Sequence, residues 1–301
     1  MGAGPSPVNA ETIALSIDGG HVRSIRDYQV RSFEVLPTQV TNHEGKQIVF
    51  SRVPAEAISQ QAELRGVFHT LGAAGVTPVT VISDGAEGPR ALGEAASPGP
   101  TSQVLGWFHL SKRIQHVDRA VKSWPDATAD DRQTGAGLVE TIDRIRWRPW
   151  HGQAACALDL IGETLVTLDG AANGEGAGAV AARKAARLLR DLEKYICGQS
   201  DIIIDDATAR LEDESISTAV MESTVQCPLH RRMNAQQPMR WSSRGAHLML
   251  KVRIAAANGT REHPQVLDGL IWPETSWRGD WAWSVRGSRR GRGPAARDPH
   301  R

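Results

Sequence analysis

Two strongly apolar segments that end in Asp-Gly constrain the fold more than any other feature of this sequence. Residues 12–17 lead into Asp18, and residues 76–83 lead into Asp84. A continuous apolar run is typical of a strand that is covered on both faces. The sequence therefore predicts a sheet with helices packed on it and an acid at the end of each of two strands.

The order of the predicted elements places an antiparallel meander before a β/α alternation. Strands are predicted over 12–17, 28–40, 47–53, 76–83 and 102–108, with a turn at 42–46. Helical spacing of apolar residues predicts helices over 56–71, 110–122, much of 124–199, and 216–257. The order β-β-β-α-β-α-β-α followed by helices favours an α/β fold with an RNase H-like mixed sheet. A purely parallel alternation would favour a doubly wound nucleotide-binding fold instead.

In the RNase H-like order the strands that end at Asp18 and Asp84 are neighbours, so their carboxylates converge. Adjacent carboxylates repel each other unless a cation lies between them. Carboxylate oxygens are hard ligands that suit Mg²⁺ or Mn²⁺. Two such ions about 3.5–4 Å apart activate a water or a 3′-hydroxyl and stabilise the leaving oxygen. The two acids therefore predict a metal site for phosphoryl transfer.

Each of these acids is followed by a glycine. At Gly19 and Gly85 the missing side chain would let a DNA backbone approach the acids closely. A turn that ends a strand also explains an Asp-Gly pair, and for either pair taken alone this simpler interpretation stays open.

Composition and charge exclude several classes of protein. The 301 residues carry 35 Lys+Arg and 34 Asp+Glu, for a formal net charge of +1. Three scattered cysteines exclude a disulfide framework and a Cys-rich zinc site. No segment reaches the roughly 20 apolar residues of a membrane span, and no signal-peptide pattern is present, so we expect a cytoplasmic protein without a membrane partner.

The small net charge conceals two charged segments. Acidic residues are concentrated in 201–214, whereas the end of the chain is rich in Gly, Pro and Arg. A segment of the second kind cannot form a packed core. Its arginines could contact nucleic acid through phosphate charge or could only aid solubility, and the sequence leaves both interpretations open.

Six motifs are spread over residues 12 to 258. They are SIDGGHVRS (16–24), VTVISDGAEG (79–88), WFHLSKRIQHV (107–117), RWRPWHGQA (146–154), ISTAVMESTV (216–225) and RRMNAQQPMRWSSRGAHLMLKVR (231–253). In this order they resemble the DDE transposases of bacterial insertion sequences, specifically the ISKra family. The resemblance implies an RNase H-like catalytic core with an α-helical insertion before the last catalytic acid.

The resemblance implies a catalytic triad of Asp18, Asp84 and Glu222. Asp18 would bridge two Mg²⁺ or Mn²⁺ ions, and each of the other acids would hold one. The implied reaction is cleavage of double-stranded DNA at transposon ends, followed by strand transfer of the freed 3′-hydroxyl into target DNA. Such an enzyme is expected to act as a homo-oligomer at the nucleoid of a bacterial cytoplasm.

The resemblance also divides the chain into parts. The expected parts are a flexible segment at 1–10, core segments at 11–114 and 206–260, a helical insertion at 115–205, and a low-order Trp/Arg-rich tail at 261–301. The long interval between Asp84 and Glu222 agrees with an insertion. Compared with the family, the chain begins close to its first catalytic strand, which predicts a copy truncated at the N-terminus.

Five further residues are implied to contact DNA. The resemblance places His109 near a phosphate, and it places Arg240, Trp241, Arg244 and His247 on a DNA-facing surface. Packing within the protein is an alternative explanation for the His109 and Trp241 side chains, and it is the favoured one for Trp241, so both interpretations stay open for them.

Two other functions are compatible with the sequence. An inactive, truncated transposase remnant that at most binds DNA is favoured by Pro228, which removes a backbone donor from the predicted Glu222 helix. A dinucleotide-binding oxidoreductase is suggested by GEGAGA at 174–179, which fits a loose G-x-G-x-x-A pattern after a possible strand at 164–168. Nucleotide should stabilise an oxidoreductase against heat, whereas divalent metal and DNA should stabilise a transposase core.

Overall fold

The computed structural model describes residues 12–25, 31–53, 60–126, 128–211 and 239–258, and within them the chain forms a mixed α/β fold. The strands are β1 (Ile13–Ile17), β2 (Gly20–Arg23), β3 (Ser32–Thr41), β4 (Gln47–Arg52), β5 (Val79–Ser83) and β6 (Thr101–Leu105). The helices are α1 (Gln60–Thr70), α2 (Glu87–Ala96), α3 (Trp107–Lys122), α4 (Ala129–Trp150), α5 (Ala154–Ala172), α6 (Ala177–Gly198), α7 (Asp206–Leu211) and α8 (Ser243–Ala257). None of these helices is long and apolar enough to cross a membrane.

The long strand β3 organises the antiparallel half of the sheet. It pairs with β4 and with β1 over the same residues, so these two strands lie on opposite sides of it. Strand β2 continues the β1 ladder in one register, because Ala14 lies opposite Thr41 and Gly20 lies opposite Val35. Asp18 therefore falls in a short interruption of one long ladder.

Strands β1, β5 and β6 form the parallel half of the sheet. Strand β5 lies between the other two, with Val79 opposite both Ile13 and Thr101. All five residues of β5 are buried. Val79 packs with α1 and α2, whereas Ile82 packs with Ala209 of α7. The sheet is thus covered on both faces, as the continuous apolar run at 76–83 predicts.

Helices α3 to α6 form a second layer around their own hydrophobic core. Helix α3 packs against α4 and α6, and α5 packs against the same two helices. We call these four helices the bundle. Its fully buried side chains include Ile114, Ile142, Ile145, Ala157, Ile161, Ala182, Ala185, Leu189 and Ile196. Since α3 begins two residues after β6, the bundle is joined directly to the end of the sheet.

The structure corrects several details of the sequence interpretation. The strand predicted at 102–108 ends at Leu105, because α3 already begins at Trp107. The possible strand at 164–168 lies inside α5, where Thr164, Leu165 and Leu168 are buried at helical spacing. Strand β2 was not predicted, and the boundary expected between residues 114 and 115 falls inside the continuous α3. Segments 1–10 and 261–301 lie outside the described residues.

Candidate active site

The two acids predicted from the sequence follow neighbouring parallel strands, β1 and β5, at the same end of the sheet. The last pair of residues in the β1–β5 ladder is Ser16 with Ile82, and the same register continued by two residues brings Asp18 beside Asp84. Neighbouring strands lie about 4.8 Å apart, so the main chains of these residues are adjacent. We call Asp18 and Asp84 the acid pair.

Asp18 is held deep in the fold. Its side chain and backbone are only 5% exposed, and its amide donates a hydrogen bond to the Pro37 carbonyl over 3.1 Å. The Asp18 Oδ1 atom lies 3.6 Å from Nε2 of His109 in the first turn of α3. The structure thus places His109 beside the first acid, and its predicted contact with phosphate stays a prediction.

Asp84 lies in a tight turn of residues 83–86, which we call the Asp84 turn. The Asp84 Oδ1 atom accepts a hydrogen bond of 2.9 Å from the Ala86 amide. The Gly85 amide donates to Oγ of Ser83 over 3.2 Å. Gly85 has a φ of 85°, in the left-handed region that residues with a side chain rarely adopt. The turn therefore requires glycine and fixes one oxygen of the Asp84 carboxylate.

The last turns of α6 lie against the Asp84 turn. The Tyr195 hydroxyl donates a hydrogen bond of 2.7 Å to the Asp84 carbonyl. The Gln199 amide nitrogen donates to the Gly85 carbonyl over 3.3 Å. A Cβ added to Gly85 would lie 2.5 Å from the Gln199 side chain. The space beside Gly85 is thus filled by the protein itself, which corrects the expectation that this glycine makes room for DNA.

The surroundings of Tyr195 keep its hydroxyl protonated, so that it can donate a hydrogen bond. The Arg113 guanidinium of α3 lies 4.0 Å from the centre of the Tyr195 ring. Burial raises the pKa of Tyr195 to about 12, and this rise outweighs the opposing effect of the Arg113 charge. The phenol therefore stays protonated throughout the neutral range and keeps its bond to the Asp84 carbonyl.

Arg113, Tyr195 and Gln199 were not singled out by sequence reasoning. The available signal was weak: Tyr195 and Gln199 are polar residues four positions apart, so they share a face at the end of a predicted helix. The partner of each is more than a hundred positions away in the chain, and no local pattern identifies such a contact.

Trp241 joins the start of α8 to the end of β2. Its amide donates to the Arg23 carbonyl over 2.8 Å, and its carbonyl accepts from the Ile25 amide over 3.1 Å. Its half-buried indole packs against a hydrophobic cluster that includes Val22 and Leu250. This position provides the core packing that the sequence left open for Trp241.

The other residues predicted to contact DNA lie beside Trp241. Arg240 and Arg244 are exposed, and His247 is half-buried in α8. Beyond them, the Asn258 side chain exchanges hydrogen bonds of 2.9 and 2.8 Å with the backbone of Val49 in β4. Helix α8 is therefore fixed against the antiparallel half of the sheet, and the side chains of Arg240, just before it, and Arg244, in its first turn, are exposed.

The described part of the site supplies two carboxylates. Glu222, the third residue of the implied triad, lies outside the described residues, as does Pro228. Within the described ranges no group of three or more His, Cys, Asp or Glu side chains is arranged to hold a metal ion. Two carboxylates at adjacent strand ends nevertheless have the chemistry that Mg²⁺ and Mn²⁺ prefer. They supply two of the three carboxylates in the implied ligand set.

A groove of about 440 Å³ lies next to the Asp84 turn. It is lined by Gly85, Glu87, Arg90, Ala91 and Glu94. Two carboxylates and one guanidinium give this lining an unfavourable charge for phosphate. We therefore do not assign this groove to a DNA backbone.

Comparison with protein families and with curated proteins does not identify this chain. The chain matches no family model. It has no significant match among curated proteins. A functional assignment therefore depends on the residues of this chain and on the way in which the fold arranges them.

Proposed function

We propose that this chain is the catalytic region of a DDE transposase with an RNase H-like core, as its resemblance to the ISKra family implies. The observation that carries the proposal is the acid pair at the carboxyl ends of two adjacent parallel strands. The strand order β4-β3-β1-β5-β6 supports the RNase H-like assignment, since three antiparallel strands precede two parallel ones. Helices α1 and α2 form the two connections to the parallel strands.

In this proposal Asp18, Asp84 and Glu222 hold two Mg²⁺ or Mn²⁺ ions. When bound, these ions would activate the attacking oxygen and stabilise the leaving oxygen. The protein contributes fixed ligands: Asp18 is buried and tied to β3 through its amide, and Asp84 is held by its turn. Ligands that are positioned before substrate binds need no reorganisation during the reaction.

The proposed substrate is double-stranded DNA, first at transposon ends and then at the target. In cleavage a water oxygen bonds to phosphorus while the bond from phosphorus to the 3′ oxygen breaks. The freed 3′-hydroxyl then attacks a phosphodiester of the target, which releases the 3′ oxygen of the target strand. The exposed Arg240 and Arg244 are candidates for phosphate contacts. We propose that the active form is a homo-oligomer in a bacterial cytoplasm.

The oxidoreductase alternative receives less support from the fold. A dinucleotide-binding glycine turn follows a strand and opens a helix. In this chain the segment at 164–168 is helical, so the glycines at 174–178 connect α5 to α6. The pattern GEGAGA is better explained by a turn between two packed helices.

Titration with Mn²⁺ by calorimetry tests the proposal on the full chain. We expect saturable binding by the wild type, and we expect Asp18→Asn, Asp84→Asn and Glu222→Ala each to weaken it. Asp159→Asn is the matched control, because it removes an exposed carboxylate from α5 without touching the acid pair. Circular dichroism checks that each variant is folded.

The outcomes separate the proposed function from its alternatives. If the folded wild type gives no saturable binding, the chain is not a metal-dependent transposase. If the two Asp variants lose binding and Glu222→Ala does not, the acid pair binds metal without the third acid. That result would favour the inactive remnant.

A further inference from the structure

The contact between α6 and the Asp84 turn joins two parts of the fold that are far apart in sequence. Tyr195 lies in the last turn of α6, and Gln199 is the residue that follows the helix. Both donate to consecutive main-chain carbonyls of the turn, those of Asp84 and Gly85. Two directed bonds to adjacent carbonyls hold a turn more firmly than an apolar contact, because they fix its orientation as well as its distance.

The Gln199 side chain also packs tightly against Gly85 of the turn. The Gln199 side chain occupies the place where any other residue at position 85 would carry its Cβ. Gly85 therefore serves two purposes: it adopts the left-handed conformation of the turn, and it lets α6 approach the turn. The loss of either feature would move the backbone that carries the Asp84 carboxylate.

Further contacts anchor the end of α6 to the rest of the site. The Arg113 guanidinium of α3 lies over the Tyr195 ring, 4.0 Å from its centre, in a cation–π contact. Past the helix, the Ile202 carbonyl accepts a hydrogen bond of 2.9 Å from the Leu105 amide at the end of β6. The bundle is thus attached to the ends of both β5 and β6, on the side where the acid pair lies.

In the proposed site, the Tyr195 hydroxyl and the side-chain nitrogen of Gln199 act as hydrogen-bond donors and not as metal ligands. Each of these two groups donates its hydrogen bond to a main-chain carbonyl of the Asp84 turn. What they affect is the direction of the Asp84 carboxylate, since the carboxylate, the carbonyl and the Ala86 amide belong to one turn. Partners of this kind outside the ligand shell tune metal affinity by orienting the ligand.

We propose that Tyr195 and Gln199 are positioning residues that hold the Asp84 carboxylate beside Asp18, so that the helical bundle sets the geometry of the metal site. This inference rests on the proposed function, because it assigns the Asp84 carboxylate to a divalent cation. It adds a role for the bundle, which controls the affinity of the acid pair for that cation without contributing a ligand to it.

Amide hydrogen exchange of the metal-free full chain tests the positioning directly. The Ala86 amide is the reporter, because it donates to the Asp84 carboxylate itself. The variants are Tyr195→Phe, which keeps the ring, and Gln199→Met, which keeps the length of the side chain but loses the donor. Each should speed Ala86 exchange by about tenfold, the effect of losing one hydrogen bond that holds the turn.

Thr164→Val is the matched control for these variants. It removes a buried hydroxyl that donates to the Leu160 carbonyl within α5, away from the turn. General loosening of the bundle would affect the control and the test variants alike. If Ala86 exchange is unchanged in both test variants, or rises equally in Thr164→Val, the inference is wrong whatever the protein binds.

Mn²⁺ titration of the same proteins supplies the second readout. We expect Tyr195→Phe and Gln199→Met to weaken Mn²⁺ binding by about tenfold or more, and we expect Thr164→Val to match the wild type. Faster Ala86 exchange with unchanged Mn²⁺ affinity would overturn the role in the metal site. Faster exchange in a chain whose wild type binds no Mn²⁺ would show that the turn is held as we infer and that the proposed function fails.

Discussion

The end of the sheet and the helical bundle are stabilised by different interactions. At the end of the sheet, polar groups are held by hydrogen bonds between residues distant in the chain, as in the bond from the Asp18 amide to the Pro37 carbonyl. In the bundle, consecutive helices pack through apolar side chains, many of them small, such as Ala182 and Ala185. The first region holds the acid pair of the proposed site, and the second is a hydrophobic core formed by four helices.

This difference explains why the bundle matters for the acid pair. Strand ends have few neighbours of their own, so the Asp84 turn depends on groups supplied by another element. These groups are Tyr195 in the last turn of α6 and Gln199 directly after it. Helix α3 joins the two regions because it starts at the sheet and packs within the bundle. In our proposal, a region that supplies none of the acid pair therefore sets the position of one of its carboxylates.

The largest loss of stability is expected from substitutions that create a cavity in either of the two hydrophobic cores. Leu189→Ala in the bundle and Leu15→Ala in β1 each remove a side chain with no exposed surface. Each should lower the free energy of unfolding by about 3 kcal/mol, since loss of burial and an unfilled cavity add together. Because α3 links the two regions, we expect one cooperative transition in denaturant for the wild type and for both variants.

Val166→Ala is the control for these cavities, because Val166 lies on α5 with 75% of its surface exposed. It should change stability by less than about 0.5 kcal/mol. Two separate transitions in Leu189→Ala, one by circular dichroism and one by tryptophan fluorescence, would show that the bundle unfolds alone. The two regions would then be independent, contrary to the comparison above.

The sequence predicted those parts of the fold whose signals are local. The continuous apolar runs predicted β1 and β5, and helical spacing predicted α1, α3 and the helices of the bundle. Strand β2 was missed because its four residues, GHVR, show no clear alternation. The segment 164–168, TLVTL, has the β-branched residues typical of a strand, but burial between α4 and α6 makes it helical.

The residues of the candidate site also divide into those with a local signal in the sequence and those without one. Asp18 and Asp84 could be found because each ends an apolar run, and strand order then brings them together. The contacts of Tyr195 and Gln199 could not, because they depend on how the end of α6 packs against a turn more than a hundred residues earlier in the chain. Packing of this kind leaves no periodic pattern in the sequence.

A moderate loss of stability is expected from a substitution at the place where the two regions touch. The test compares Gly85→Ala with Gly45→Ala. Both glycines have a positive φ, 85° and 78°, so alanine costs each about 1–2 kcal/mol. A Cβ at Gly45 meets nothing within 4 Å, whereas one at Gly85 meets the Gln199 side chain at 2.5 Å. Gly85→Ala should therefore be the more destabilising by roughly 1 kcal/mol in chemical denaturation.

The double variant Gly85→Ala with Gln199→Ala separates the two contributions. Removal of the Gln199 side chain relieves the clash but leaves the backbone strain, so the double variant should cost less than the sum of its single variants. Simple additivity would mean that Gln199 does not pack on the turn, and the contact between the regions would have to be weaker than the structure indicates.

The smallest effect is a pH dependence that arises at the same contact. Burial raises the pKa of Tyr195 from 10.0 to about 12, so folding favours the protonated phenol. Its stabilising contribution is present in full below pH 10 and is lost as the pH rises towards 12. The wild type should be more stable than Tyr195→Phe at pH 8, and the gap should narrow by about 1 kcal/mol by pH 11, a value reduced for solvent screening of a partly exposed ring. Urea unfolding of both proteins at a series of pH values measures the gap, and other titrating groups cancel because both proteins share them. A gap that stays constant to pH 11 would mean that the phenol is solvated, so that α6 does not close over the Asp84 turn.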